Sequence, residues 1–168
     1  MNDTPDPPQP PGDGPRIVGY HEYVDLPAWG IKRLLAKADT GARSSALDAR
    51  NIQELPGERV RFEVARSRDN RQDAVAVEAP IVRRASVRDS HGNTSERLVV
   101  EAEIKIGDQT LKREVTLVSR EQMICRMLLG RQALSSEFLV DSSRRFVQSR
   151  PPRKRRSSEA PNPTGDQP

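Results

Sequence analysis

The chain has 168 residues, 31% charged, 34% hydrophobic and only 4% aromatic, with 28 Lys and Arg against 24 Asp and Glu for a net charge of +4. That length allows one domain, the single cysteine, Cys125, excludes an internal disulfide or a four-cysteine metal site, and no apolar run approaches the ~18 residues of a membrane span. With no leader-like opening either, the expectation is a soluble, cytoplasmic protein.

Six of the 14 prolines lie in residues 1–15 and five in 151–168, so both ends read as disordered Pro-rich tails around a folded domain spanning 16–148. The C-terminal tail, 149–168, carries Arg150, Arg153, Lys154, Arg155 and Arg156. Such a block is either a solvated tail or a non-specific attraction to RNA, ribosomes or acidic protein segments. Without interleaved aromatics it has no platform for stacking bases.

Within the domain the apolar residues are mostly Val, Ile and Leu in short alternating runs, which favours sheet over helix. Arg16 to Tyr23 reads as a first strand, Pro27 to Gly30 as an interruption, and Ile31 to Ala38 as the next element, for which propensity alone leaves a short helix open. Ser44 to Ile52 and Glu58 to Ala65 are strands joined at Pro56-Gly57. Glu58 to Ala65 and Ala74 to Val82 read as a hairpin with a long charged tip. A second hairpin turns at Ser90 to Asn93, between Ala85 to Asp89 and Glu96 to Ile106. In this last strand Val100, Ala102, Ile104 and Ile106 alternate as a strand buried on one face requires. Gly107-Asp108 leads into Leu111 to Val118. A short helix beginning near Arg131 and a strand from Phe138 to Val140 end the domain. Cys125 reads as a small buried hydrophobe rather than a reactive thiol.

Two motifs stand out. Asp39-Thr40-Gly41 follows at once on the run Ile31 to Ala38, and about ninety residues later comes Met127-Leu128-Leu129-Gly130-Arg131. Peptide hydrolysis without a metal or covalent nucleophile needs one group to deprotonate a water and another to protonate the substrate. Two carboxylates a few ångströms apart do both, because like charges that close share one proton. One Asp39 cannot. Two Asp39 residues across a twofold axis can, titrating as a coupled pair.

Over Lys37 to Leu47, Val77 to Pro80 and Met127 to Arg131 the chain resembles the retropepsin-like bacterial family often carried under the name "ATP-dependent zinc protease", RimB-like proteins among them. The resemblance covers roughly Ile17 to Val147. It implies a mostly β, closed acid-protease barrel with a short C-terminal helix. It also favours strand over helix at Ile31 to Ala38, and a homodimer in which each chain supplies Asp39. The aspartate is implied to be catalytic, with Thr40, Gly41 and Ala42 as its loop and Leu128, Leu129 and Gly130 as structural partners. Thr40 is expected to bond across the dimer, and Gly41 to sit where a Cβ has no room and φ can turn positive. Ala42, where a Ser could donate to the carboxylate, predicts a less acidic pH optimum.

In retropepsins a hairpin closes over the substrate as a flap, so Arg68, Asn70 and Arg71 are either flap-tip residues or part of an ordinary surface loop. Arg43, Arg68, Arg71 and Arg131 are the candidate substrate-binding cations, suited to carboxylates, with Lys37 a further member of a positive lining. Arg131 is equally open to a structural role at the dimer base. The family's association with a glutamate ligase points to acidic substrates, such as glutamate tails on a ribosomal protein. The competing reading is a non-catalytic adaptor of the same fold that binds ribosome, RNA or a modifying enzyme through basic surfaces.

No cofactor is expected. His21-Glu22-Tyr23-Val24-Asp25 starts like His-Glu-x-x-His but ends in Asp, so no metal site is predicted, and no Walker-type loop supports ATP binding. Two positions depart from the family pattern: Asp48 stands where a His is expected, and Cys125-Arg126 where an aromatic-Pro pair often precedes the Met-Leu-Leu-Gly strand.

Overall fold

The computed structural model describes residues 14–67, 69–88, 91–119 and 124–150. Twelve strands and one short helix run in the order β1 (Arg16–Gly19), β2 (His21–Leu26), β3 (Ile31–Ala38), β4 (Ser45–Asp48), β5 (Arg50–Leu55), β6 (Arg59–Ala65), β7 (Ala74–Pro80), β8 (Arg83–Arg88), β9 (Thr94–Ile106), β10 (Gln109–Val118), β11 (Met127–Leu129), α1 (Arg131–Leu134) and β12 (Phe138–Asp141). A 3-10 turn, Pro27–Trp29, separates β2 from β3 and ends at Gly30 with φ 65°, the left-handed conformation that glycine adopts without a Cβ penalty.

Six strands close a barrel in the order β10-β4-β11-β3-β2-β9, with β9 pairing back onto β10. Closure leaves no free edge at the seam, and β8 extends the sheet beside β9. The alternation expected in β9 is realised: Val100, Ala102, Ile104 and Ile106 are each at most 1% exposed. Ile31 to Ala38 is a strand over its whole predicted length, its Ile31, Leu34 and Ala36 turned into the core. Cys125 is buried.

A separate three-stranded sheet, β5-β6-β7, lies against the barrel. Val60, Phe62, Val64, Val77 and Ala79 join its core, and Trp29 meets Phe62 edge-on with ring centres 5.5 Å apart. A third, two-stranded parallel sheet joins the ends of the domain through β1 and β12.

Two expected strands divide. Arg16 to Tyr23 breaks at Tyr20, whose amide donates to the Arg144 carbonyl while the Gly19 amide donates to the Glu22 carboxylate. The chain thereby leaves the β1–β12 sheet for the barrel. Ser44 to Ile52 breaks at Ala49, whose amide donates to Val118, and the chain passes from the barrel into the second sheet. Arg68 and the tails, 1–13 and 151–168, lie outside the described residues. No helix among the described residues is long and apolar enough to cross a membrane.

Candidate active site

β3 delivers Asp39 to the edge of the barrel, and β11 runs parallel beside it with Leu129 opposite Ala38. The Asp39 amide donates to the Leu129 carbonyl at 2.9 Å, the Arg131 amide to Ala42 at 2.9 Å and the Gln132 amide to Arg43 at 3.0 Å. The Asp39-Thr40-Gly41 loop is therefore sewn by backbone bonds to the segment around Gly130. Leu128 and Leu129 are buried beneath it.

Gly130 is where these two segments touch most closely. A Cβ there would overlap the Ser44 carbonyl and stand 2.9 Å from the Arg43 carbonyl oxygen. Its amide donates to the buried Ser45 hydroxyl at 3.1 Å. Ser45 thus holds the motif from the opposite strand, a role its place in a Ser-Ser pair did not announce. Gly41 behaves differently from the expectation: its φ is not positive, and a Cβ would meet only Asp39 Oδ1, at an ordinary 3.4 Å. Within one chain nothing reserves this position for glycine.

The Asp39 carboxylate is partly exposed. Its Oδ1 accepts from the amides of Gly41 at 3.1 Å and Ala42 at 3.2 Å, and no bond to Oδ2 is found among the described residues. One oxygen is oriented by the loop.

Of the four candidate cations, Arg68 lies outside the described residues, and the other three make different contacts. Arg131 Nη1 donates to the carbonyls of Thr40 at 3.0 Å and Gly41 at 2.9 Å, bracing the loop through its backbone. Arg43 is exposed and forms no ion pair among the described residues. Arg71, in the β6–β7 connection, turns to Asp48 at 3.6 Å. Arg66 and Asp73 pair across the mouth of that connection at 2.9 Å, and Asn70 Oδ1 accepts from the amides of Gln72 and Asp73.

His21 and Glu22 point to different environments, His21 half-buried and Glu22 2% exposed among backbone donors. No group of three or more His, Cys, Asp or Glu among the described residues is placed to hold a metal ion.

The model of a family described as "Retropepsin-like aspartic endopeptidase RimB" matches residues 17–151. Among curated proteins, the chain is 35% identical over 137 residues to a "Probable alpha-L-glutamate ligase" from Shewanella pealeana, covering 80% of this chain and 30% of that protein. A protein of the same description from Parasynechococcus marenigrum is 35% identical over 128 residues, covering 74% of this chain and 28% of its own length. The chain thus spans less than a third of the curated relatives it matches. A crystal structure of a Legionella pneumophila protein of unknown function superimposes with a TM-score of 0.64 at 30% identity, covering 80% of this chain and 98% of that one.

Proposed function

The chain belongs to the RimB-like, retropepsin-like family, and from that premise we propose that it is an aspartic endopeptidase working as a homodimer, with Asp39 of each chain forming the catalytic pair. The observation that carries the reading is the Asp39 carboxylate, partly exposed just beyond the end of a barrel strand, with one oxygen held by two loop amides. In the pair, one ionised Asp39 takes a proton from a water whose oxygen adds to the scissile carbonyl. The protonated partner gives its proton to the amide nitrogen as the C–N bond breaks, releasing a carboxylic acid and an amine. Arg131 fixes the loop carbonyls, and the exposed Arg43 beside the loop suits an acidic substrate.

The substrate proposed is the glutamate-rich tail of a protein, a ribosomal protein being one case. The ligase description of the relatives supports this indirectly. Their chains are over three times as long as the matched part, and adding and removing glutamate are opposite operations on one acidic tail. The same description also favours a second reading, in which the fold is a non-catalytic adaptor for a ligase.

Incubating the purified chain with an oligoglutamate-tailed protein, with mass in solution measured alongside, separates the two. A peptidase shortens the tail as a dimer and loses turnover in Asp39→Asn while still dimerising. An adaptor leaves the tail intact and is indifferent to that substitution.

A further inference from the structure

The outer face of the β2–β3 hairpin is overlaid by the C-terminal segment 144–150, held there by a buried carboxylate. Glu22 accepts from the amides of Gly19 at 2.8 Å, Val147 at 2.8 Å, Gln148 at 3.0 Å and Ser149 at 3.0 Å, and from the Ser149 hydroxyl at 2.6 Å. The Phe146 amide donates to the His21 carbonyl at 2.8 Å, and its ring stacks on Tyr23 with centres 5.1 Å apart.

This strap gathers positive charge. Lys37 stands opposite His21 in the β2–β3 register, and Arg145 of the strap acts on the same imidazole as Lys37. The Arg33 guanidinium lies 4.5 Å from the Tyr23 ring centre and donates to the Arg150 carbonyl at 2.8 Å. Arg33, Lys37, Arg145 and Arg150 are all exposed, and none forms an ion pair among the described residues. Some arginines elsewhere on the surface are matched, as Arg61 is by Glu78, Arg83 by Glu114 and Arg84 by Glu54. The carboxylate on this face, Asp25, accepts from the Arg33 amide.

We propose that this strap-covered face of β2–β3 is a docking site for an acidic polypeptide segment, distinct from the Asp39 loop. The position suits that use, because β3 carries Lys37 and ends at Ala38, immediately before Asp39, so a chain held here lies beside the strand that leads into the carboxylate. An acidic peptide is favoured over nucleic acid because the rings here already pack on one another, Tyr23 on Phe146 beneath Arg33 and Tyr20 tilted against His21, which is not the open row of aromatics that stacks successive bases, whereas guanidinium and ammonium groups suit carboxylates directly. The identity of the segment as the substrate's own tail rests on the proposed peptidase reading; the site itself does not.

The test is fluorescence anisotropy of a labelled oligoglutamate peptide on full-length Asp39→Asn chain, which cannot turn over under that reading. Adding Lys37→Glu and Arg145→Glu should weaken binding by about tenfold or more at low salt. Adding Arg59→Glu and Lys112→Glu, the same charge change elsewhere on the surface, should weaken it by no more than about twofold. Equal loss in both variants, or no binding in either background, overturns the site. So does displacement of the peptide by a single-stranded RNA of equal charge at lower concentration than by unlabelled oligoglutamate. Absence of cleavage by the unmodified chain, with binding intact and lost on the first reversal, removes the peptidase reading and leaves the docking site standing.

Discussion

Asp48 and Arg126 form an ion pair at the core of the barrel, 3% and 1% exposed, across 78 residues of sequence. Both residues stand where the sequence departs from the expected family pattern, and they answer one another: a carboxylate at the end of β4 faces a guanidinium just before β11. Arg71 approaches the same carboxylate, so the β6–β7 connection is tied to the barrel through it.

Removing one member of that pair should therefore cost far more than removing both. Breaking a buried pair typically costs about 3–5 kcal/mol, whereas replacing both ions by apolar groups of similar volume is often near neutral. Asp48→Leu alone is expected to lower stability by about that amount, and Asp48→Leu with Arg126→Met to recover most of it. Urea unfolding midpoints of the two single variants and the double give the coupling; additive losses would mean that the residues act independently.

The two glycines of the motifs should behave differently. Gly130→Ala forces a Cβ into the Ser44 carbonyl, which belongs to backbone, and overpacking costs about 1–3 kcal/mol where the neighbour cannot retreat. Gly41→Ala has ordinary space within one chain. Thermal melts should show the first destabilised as a monomer. The second should melt normally and, if the proposed dimer forms, fail only in dimerisation or turnover, since any closeness that demands glycine at 41 would then come from a second copy.

What could be read from residue order followed from local pattern. Val100, Ala102, Ile104 and Ile106 alternate, Gly107 reverses the chain at φ 61°, and β9 and β10 lie as expected. Breaks set by distant groups could not be read: Tyr20 interrupts its strand because Arg144 receives its amide. Asp39 and Gly130 were legible through their motifs, but Arg131 reaches loop carbonyls rather than solvent. Asp48 and Arg126 were each visible as oddities, with nothing in the order of residues to pair them.

Glu22 offers a test of the strap. It is a buried carboxylate compensated wholly by backbone amides and a hydroxyl, and an amide in its place would turn a donor toward other donors. Glu22→Gln should cost roughly 1–3 kcal/mol for each buried donor left unsatisfied. Hydrogen exchange should speed up at Val147, Gln148 and Ser149 before the barrel opens. Uniform acceleration across the whole domain would instead make Glu22 part of the global core.

Acidification should weaken the fold in two separate steps. His21 is held below the ordinary value of about 6.5, first by burial and then by Arg145 and Lys37, so the folded chain binds fewer protons than the unfolded one in that window. Its contribution is present above about pH 6.5 and lost as pH falls through the lowered value. Asp141, drawn down to about 2 by Ser143 and Arg144, contributes above about pH 4 and is lost between there and pH 2. Both groups are largely solvated, so each step is small. Unfolding midpoints at pH 7 and pH 5 should differ in the native chain and converge in His21→Gln; an unchanged difference would place its origin elsewhere.

Ala42 bears on the pH at which the proposed peptidase works. Its amide already donates to Asp39 Oδ1 at 3.2 Å, and a serine hydroxyl at the same position would offer that carboxylate a further donor. The native chain is therefore expected to keep the acid limb of its pH–rate profile at or above about pH 5, and Ala42→Ser to move that limb downward with little change in thermal stability. The profile of kcat/KM on an oligoglutamate-tailed protein reports the acid and base of the free enzyme. A native profile already extending well below pH 5, or a serine variant with full turnover and an unmoved limb, would mean that position 42 does not set the optimum.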